Sequence, residues 1–268
     1  MSQYSVSQYR AETELERIDE HRFTGQVSDA WNIGENPNGG YLLSLVLRAL
    51  DQVLPHPDPL SVTTHYLRPG VGNAPCEIEV DVIRGGRTLS TARARLMQEG
   101  KARLEVITSF SDLDVPSGTD QEIDLPRPEL PPLEDCVPRS GAAQGLQLAI
   151  NERLDVMLHP DFAHPGSSER AQISGYIRLS DGTEPDTRTL CLFVDAFPPS
   201  PFVKLGVVGW VPTIELTVHV RRRPSPGWVW GEFRCEDLVG GRMVESGALW
   251  DASGKLVAQS RQLGLVRS

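Results

Sequence analysis

The segment at residues 41–54 constrains the fold more than any other part of the sequence. At helical spacing its polar positions fall on one narrow stripe, and the remaining positions are apolar. The polar positions are Ser44, Arg48, Asp51 and Gln52. A helix this apolar must be covered by other elements over most of its circumference. We therefore predict a helix that lies inside the fold.

The segments that follow this helix have the alternation typical of strands. Cys76, Ile78, Val80 and Val82 alternate with acidic residues, and this period of two indicates a half-buried strand. Residues 86–110 and 241–266 each indicate a hairpin, with turns near Glu99-Gly100 and Ser253-Gly254. A curved antiparallel sheet wrapped around the helix accommodates both patterns, which predicts an α+β fold.

The two halves of the chain match at a constant offset. Placing His65 on His219 also places Arg68 on Arg222, and several glycines coincide at the same spacing. A duplicated unit explains this match, and a chance likeness between two strand-rich segments is the alternative. We predict two tandem units, each a curved antiparallel sheet wrapped around a long apolar helix.

A stretch rich in proline and acidic residues separates the halves. Residues 112–140 have no apolar periodicity, which is typical of a linker. We predict an N-terminal unit at residues 1–112, a linker at residues 113–145 and a C-terminal unit at residues 146–268.

Composition narrows the functional classes. The formal net charge is -10 at pH 7, which disfavours binding to nucleic acid or to an anionic membrane. The four cysteines are far apart and no paired metal-ligand spacing occurs, so we predict neither a metal site nor a cofactor. No apolar run reaches the ~18 residues of a membrane span, and the first residues do not resemble a signal peptide. We expect a soluble cytoplasmic protein without membrane insertion.

An ordered set of motifs runs through both halves. They are NPNGGYLLSLVLRA, HYLRPG, VDAFPP, VPTIELTVHV and LWDASGKLVAQSRQLGLV. With these motifs the sequence resembles the acyl-CoA thioesterase II-like family, whose members are fused double hotdogs. The resemblance covers nearly the whole chain outside the linker and about the first 20 residues. It implies two tandem hotdog units that hydrolyse acyl-CoA to a free acid and coenzyme A.

The resemblance also implies three catalytic residues, which the matching motifs place at Asp195, Thr213 and Gln262. The resemblance implies that the Asp is on the second helix, the Thr on the following strand and the Gln on the last strand. Asp195 lies in an apolar run, where a carboxylate is costly unless it is hydrogen-bonded or functional. A position near the helix end that faces solvent is the alternative. Thr213 and Gln262 could equally be ordinary strand residues. Asp195 would act as a base towards a water that Thr213 and Gln262 hold, and direct attack through an anhydride stays open.

Other residues are predicted to contact the substrate: Gly39, Gly40, Tyr41, His65, Arg68 and Arg87. The backbone N–H of Gly40 or Tyr41 could polarise the thioester carbonyl, since both lie at the start of the apolar helix. A plain turn and helix start is the alternative. His65 could line the site or be a core residue. Arg68 and Arg87 could bind the phosphates of coenzyme A or lie at solvated strand ends.

A non-catalytic acyl-thioester binder or scaffold on the same fold is the alternative function, because fold alone does not fix function. The combination of Asp195, Thr213 and Gln262 favours the enzyme, since a binder would not need all three. A hotdog hydratase is a closer rival, but its Asp/His helix motif is not found.

A homodimer of the fused unit is expected, because hotdog sheets usually continue across partners. Light scattering measures this directly. A single species of 29.5 kDa, the mass of one chain, would contradict the prediction.

Overall fold

The structure is a computed structural model that describes residues 7–115, 118–119, 121–142, 146–206 and 211–267. The α-helices in these ranges are α1 (Gln8–Ala11), α2 (Gly39–Val53), α3 (Thr187–Phe193) and α4 (Pro201–Leu205). None of these helices combines the length and the apolar character needed to cross a bilayer.

The strands fall into two groups along the chain. The first half contributes β1 (Leu15–Arg17), β2 (Arg22–Val27), β3 (Asn32–Ile33), β4 (Asn36–Pro37), β5 (Asp58–Tyr66), β6 (Ala74–Gly85), β7 (Ser90–Gln98) and β8 (Lys101–Ser111). The second half contributes β9 (Val137–Pro138), β10 (Leu154–Leu158), β11 (Gln172–Leu179), β12 (Thr213–Val220), β13 (Val229–Val239), β14 (Arg242–Trp250) and β15 (Leu256–Leu265).

One sheet of 13 strands runs through the described residues of both halves, in the order β1-β2-β6-β7-β8-β5-β12-β15-β14-β13-β11-β10-β9. The first half contains the order β2-β6-β7-β8-β5, and the second half contains the reverse run β12-β15-β14-β13-β11. In each half the strand that comes first in the sequence, β2 or β11, is followed by a helix, α2 or α3. The other four strands of that half come after this helix. The halves join where residues 61–65 of β5 pair antiparallel with residues 215–219 of β12.

Helix α2 confirms the prediction of a buried apolar helix. Its first turn is capped by the Asn38 side chain, which accepts a hydrogen bond from the backbone N–H of Tyr41 at 3.0 Å. Leu43, Leu45 and Leu47 are completely buried in the core of the sheet. These residues belong to one hydrophobic core that also contains buried residues from strands of both halves, such as Val106 and Val218.

The hairpins and the half-buried strand are also confirmed. Cys76, Ile78 and Val80 are buried on β6, as their alternation predicts. The prediction is wrong for Val82, which is exposed where the pairing of β6 with β7 shifts register. Glu99 and Gly100 connect β7 to β8 with φ values of 52° and 69°, as a tight hairpin turn requires.

The second helix differs from the prediction of a long apolar helix in each unit. Helix α3 has only 7 residues, although nearly all of them are buried. It begins with a capping box built on Asp186 and ends before Val194. Pro198 and Pro199 follow closely, and proline both removes a backbone donor and pushes the preceding residue out of the helical conformation. The chain therefore leaves the helix early, and Asp195, predicted on the second helix, lies in the segment that follows α3.

The described part of the predicted linker packs on the second half of the sheet. The Trp250 indole N–H donates a hydrogen bond to the carbonyl of Leu125 at 3.0 Å, and the Tyr176 hydroxyl donates one to the carbonyl of Pro131 at 2.9 Å. Leu130 packs against a small apolar cluster that includes both aromatic residues. The last part of this stretch forms β9 at the edge of the sheet.

Candidate active site

A cavity of about 430 Å³ lies where the two halves meet. Its walls come from the start of α2, the segment after α3, and the facing ends of β12, β14 and β15. The polar side chains in these walls include those of Asn38, Tyr66, Arg68, Asp195, Thr213, Glu245, Gln262 and Arg267. The volume is within the range of about 300–1,000 Å³ that is usual for small-molecule sites.

Asp195 is held at the start of α2, although it belongs to the other half of the chain. Its Oδ2 accepts a hydrogen bond from the Gly40 backbone N–H at 2.8 Å and one from Asn38 Nδ2 at 3.1 Å. Asn38 Nδ2 also donates to the Asp195 carbonyl at 2.8 Å. A carboxylate is favourable at a helix start because the helix dipole is positive there. These contacts fix the carboxyl group at the cavity wall.

Gly39 and Gly40 permit this close approach. A Cβ on Gly39 would lie 2.6 Å from Tyr66 Cε1 and 2.9 Å from Asp195 Oδ2. A Cβ on Gly40 would lie 2.9 Å from the carbonyl oxygen of Leu192 in α3. Side chains at either position would therefore force α2 away from Asp195.

The N–H groups predicted to polarise the substrate carbonyl have other partners in the structure. The Gly40 N–H donates to Asp195, and the Tyr41 N–H donates to Asn38. The Tyr41 ring stacks on Trp31 at 4.9 Å between ring centroids, and its hydroxyl donates to the Glu12 carbonyl. The buried carboxylate and the N-cap each take one of the free N–H groups at the start of the helix. Gly40 therefore orients Asp195, and Tyr41 is a core residue.

Thr213 and Gln262 face the same cavity from adjacent strands, β12 and β15. Gln262 Nε2 donates a hydrogen bond to Thr213 Oγ1. The pairing of β12 with β15 shifts by a bulge between Thr213 and Glu215. Bulges commonly redirect a side chain next to a functional site. The structure therefore brings all three residues of the predicted catalytic set to the walls of one cavity.

The surroundings of Asp195 favour a proton-accepting group that is active near neutral pH. Burial raises the pKa of Asp195 from 3.8 to about 7, and the nearby Glu245 carboxylate acts in the same direction. The hydrogen bonds from Gly40 and Asn38 lower this pKa and limit the rise. A general base works best when its pKa is close to the working pH.

Glu245 is a cavity residue that the sequence analysis missed. It is 6% exposed on β14, directly opposite Gln262 on β15. Its Oε2 accepts hydrogen bonds from the backbone N–H of Ser200 at 3.0 Å and from the Ser200 hydroxyl. Burial raises the pKa of Glu245. The alternation of β14 contained a signal, since Glu245 shares the inward face with Met243 and Gly247.

Tyr66 is a second missed residue, although it belongs to the HYLRPG motif. Its hydroxyl is buried and has no hydrogen-bond partner in the described ranges. Burial first, and then the charge of Asp195, raise the pKa of Tyr66 well above its ordinary value. A neutral phenol therefore lies beside the carboxyl group.

The remaining predicted contacts lie in different places. Arg68 lines the cavity on its exposed side and donates a hydrogen bond to the Ala102 carbonyl at 3.0 Å. His65 is exposed on β5, between Glu105 and Glu215 on the neighbouring strands. Arg87 is exposed between β6 and β7, and neither it nor His65 is among the described residues that line the cavity. We therefore retain only Arg68 of these three in the candidate site.

Two family models match the chain. One describes the N-terminal domain of acyl-CoA thioesterase and matches residues 27–111. The other describes the C-terminal domain of acyl-CoA thioesterase and matches residues 133–266. Together they span most of both halves of the sheet.

Similar proteins agree with these matches. A candidate thioesterase II of known structure from Thermobifida fusca is 31% identical, and the alignment covers 98% of each chain with a TM-score of 0.88. A hotdog-fold protein of unknown function from Alicyclobacillus acidocaldarius is 22% identical, with a TM-score of 0.86 and coverage of 98% of this chain and 99% of that one. An uncharacterised Mycobacterium tuberculosis protein is 25% identical over 91% of this chain and 90% of its own length. The chain therefore belongs to the acyl-CoA thioesterase II-like family and has its hotdog fold.

Proposed function

We propose that the protein hydrolyses acyl-CoA thioesters to a free carboxylic acid and coenzyme A, with Asp195 as the base. The main support is that Asp195, Thr213 and Gln262 line one cavity in a chain of this family. Asp195 belongs to the loop after α3, and the other two residues belong to adjacent strands. We propose that one bound thioester contacts all three groups.

In the proposed reaction, Asp195 takes a proton from a water molecule whose oxygen bonds to the thioester carbonyl carbon. The tetrahedral intermediate then collapses, the carbon–sulfur bond breaks, and the leaving thiolate takes the proton back from Asp195 to become coenzyme A, which regenerates the base. Because the Thr213 oxygen accepts the Gln262 amide hydrogen, its own hydrogen is available to the water or to the developing oxyanion.

Direct attack by Asp195 through a mixed anhydride is the alternative within this proposal. The hydrogen bonds from Gly40 and Asn38 occupy Oδ2, so Oδ1 is the oxygen that would act in either route. A single turnover in oxygen-labelled water detects an anhydride that water opens at the Asp195 carbonyl carbon, because the released acid then keeps an oxygen of Asp195. Attack by water labels the released acid, so an unlabelled acid in that first turnover would indicate the anhydride.

The mouth of the cavity suits the phosphates of coenzyme A. Arg68 and Arg267 are exposed and line this side. Arginine pairs well with phosphate because its planar guanidinium offers parallel donors. The apolar side chains deeper in the walls, which include Leu42, Phe197, Phe202 and Met243, would contact the acyl group.

We further propose that this chemistry takes place in the cytoplasm and in a homodimer.

A thiol-reagent assay over a series of acyl-CoA chain lengths tests the function. We expect release of free coenzyme A with at least one chain length, at a rate that depends on Asp195. Binding of acyl-CoA esters without turnover of any member would support the non-catalytic binder instead.

A further inference from the structure

Glu245 is a buried carboxyl group that the proposed reaction does not use. Asp195 already has its hydrogen-bond partners in α2, and Thr213 is paired with Gln262. Apolar side chains, among them Phe202, Met243 and Leu265, line the same cavity as Glu245. A carboxyl group is costly in such surroundings unless its oxygens are hydrogen-bonded.

Only one oxygen of this carboxyl group is hydrogen-bonded by the protein in the described ranges. Both hydrogen bonds from Ser200 reach Oε2 and leave Oε1 for a ligand. Glu245 lies directly opposite Gln262, and side chains in such a pair have Cβ atoms about 4.5–5.5 Å apart. The carboxyl group therefore lies within a few carbon atoms of the thioester that Gln262 would face.

We infer that Glu245 selects an acyl group that carries a hydroxyl within a few carbons of the thioester. This inference rests on the proposed function. A plain aliphatic chain would press its methylene groups against an unpaired carboxyl oxygen and leave that oxygen without a partner. A hydroxyl can donate to a carboxylate and can also accept from a protonated carboxyl, so it fits Glu245 in either state.

The same carboxyl group also influences Asp195, and the test must separate the two effects. Any influence on the base acts on every substrate alike. The ratio of kcat/KM between two esters at one pH therefore reports recognition of the acyl group and is insensitive to changes in Asp195.

The experiment compares hexanoyl-CoA with its 3-, 4- and 5-hydroxy derivatives as substrates for the unmodified protein and two variants. We expect the unmodified protein to prefer one hydroxy isomer over hexanoyl-CoA by about tenfold to a hundredfold in kcat/KM. Glu245→Gln should retain most of this preference, because an amide also hydrogen-bonds a hydroxyl. Glu245→Met should reduce the ratio to near one and raise kcat/KM for hexanoyl-CoA.

Ser200→Ala takes the place of Glu245→Met if Glu245→Met does not fold, which thermal unfolding would reveal. It leaves the carboxyl group in place without its hydroxyl anchor, so the preference should fall several-fold. Equal kcat/KM values for all four esters would overturn the inference alone. So would a preference that persists in Glu245→Met or, where that variant does not fold, in Ser200→Ala. Absence of turnover with every ester, including longer plain chains, would overturn the proposed function and this inference with it.

Discussion

Asn in place of Asp195 is expected to lower kcat for acyl-CoA hydrolysis about a thousandfold, because a positioned base commonly contributes 10²–10⁴-fold. The amide has nearly the shape of the carboxyl group but cannot take a proton from water. Its oxygen can still accept the Gly40 N–H, so the contact between α2 and the loop after α3 should survive. KM should therefore change much less than kcat.

Asp155→Asn is a matched control for this variant. Asp155 is on β10 and pairs with Arg178 at 2.8 Å in a partly exposed salt bridge on another part of the sheet. We expect its activity to equal that of the unmodified protein. If Asp195→Asn kept more than a tenth of the original kcat, the base would have to be another residue.

Activity and stability are expected to respond to pH in opposite directions, because both depend on the ionisation of Asp195. The base must be deprotonated, so kcat/KM should fall about tenfold per pH unit below the pKa of about 7. The groups that face Asp195 are Glu245 from β14, Tyr66 from β5, the N-cap residue Asn38, and Gly40 from the first turn of α2. Glu245 is the acidic group among these.

The stability effect has the opposite sign. The folded pKa of Asp195 is about 7 and its ordinary value is 3.8, so the folded state holds a proton that the unfolded state releases between these two values. The free energy of unfolding contributed by Asp195 should therefore decrease as pH rises through this window, by about 1.4 kcal/mol per pH unit.

Chemical unfolding of the unmodified protein and of Asp195→Asn between pH 5 and pH 8 measures this contribution. The variant lacks the titrating group, so its advantage in unfolding free energy should grow by roughly 2–3 kcal/mol across the range. Other acids are common to both proteins and largely cancel in the comparison. A difference that stays constant with pH would show that Asp195 is ionised alike in the folded and unfolded states.

The elements that the sequence predicted well are those with a local pattern. Helix α2 and strand β6 follow from the spacing of apolar residues, and the hairpin turn at Glu99-Gly100 follows from turn residues between two strands. Such patterns show which face of an element is buried, and they can be recognised within a short stretch of the sequence.

The features that escaped prediction depend on contacts between distant segments. The length of α3 depends on where Pro198 and Pro199 redirect the chain, and the partner of the Gly40 N–H depends on the approach of Asp195 from the other half. The inward position of Glu245 was visible in the alternation of β14, but its neighbour Gln262 and its anchor Ser200 require the tertiary structure. Whether Asp195, Thr213 and Gln262 act together stays a prediction for the experiments above.

The side chain of Asn38 has two tasks at once. It caps the helix of the first half, and it holds the carboxyl group supplied by the second half. Loss of this one amide would therefore fray the start of α2 and release Asp195 together. Neither half could form this arrangement by itself, because Asn38 belongs to one half and Asp195 to the other. Since both halves are in one polypeptide, each Asn38 is present with one Asp195.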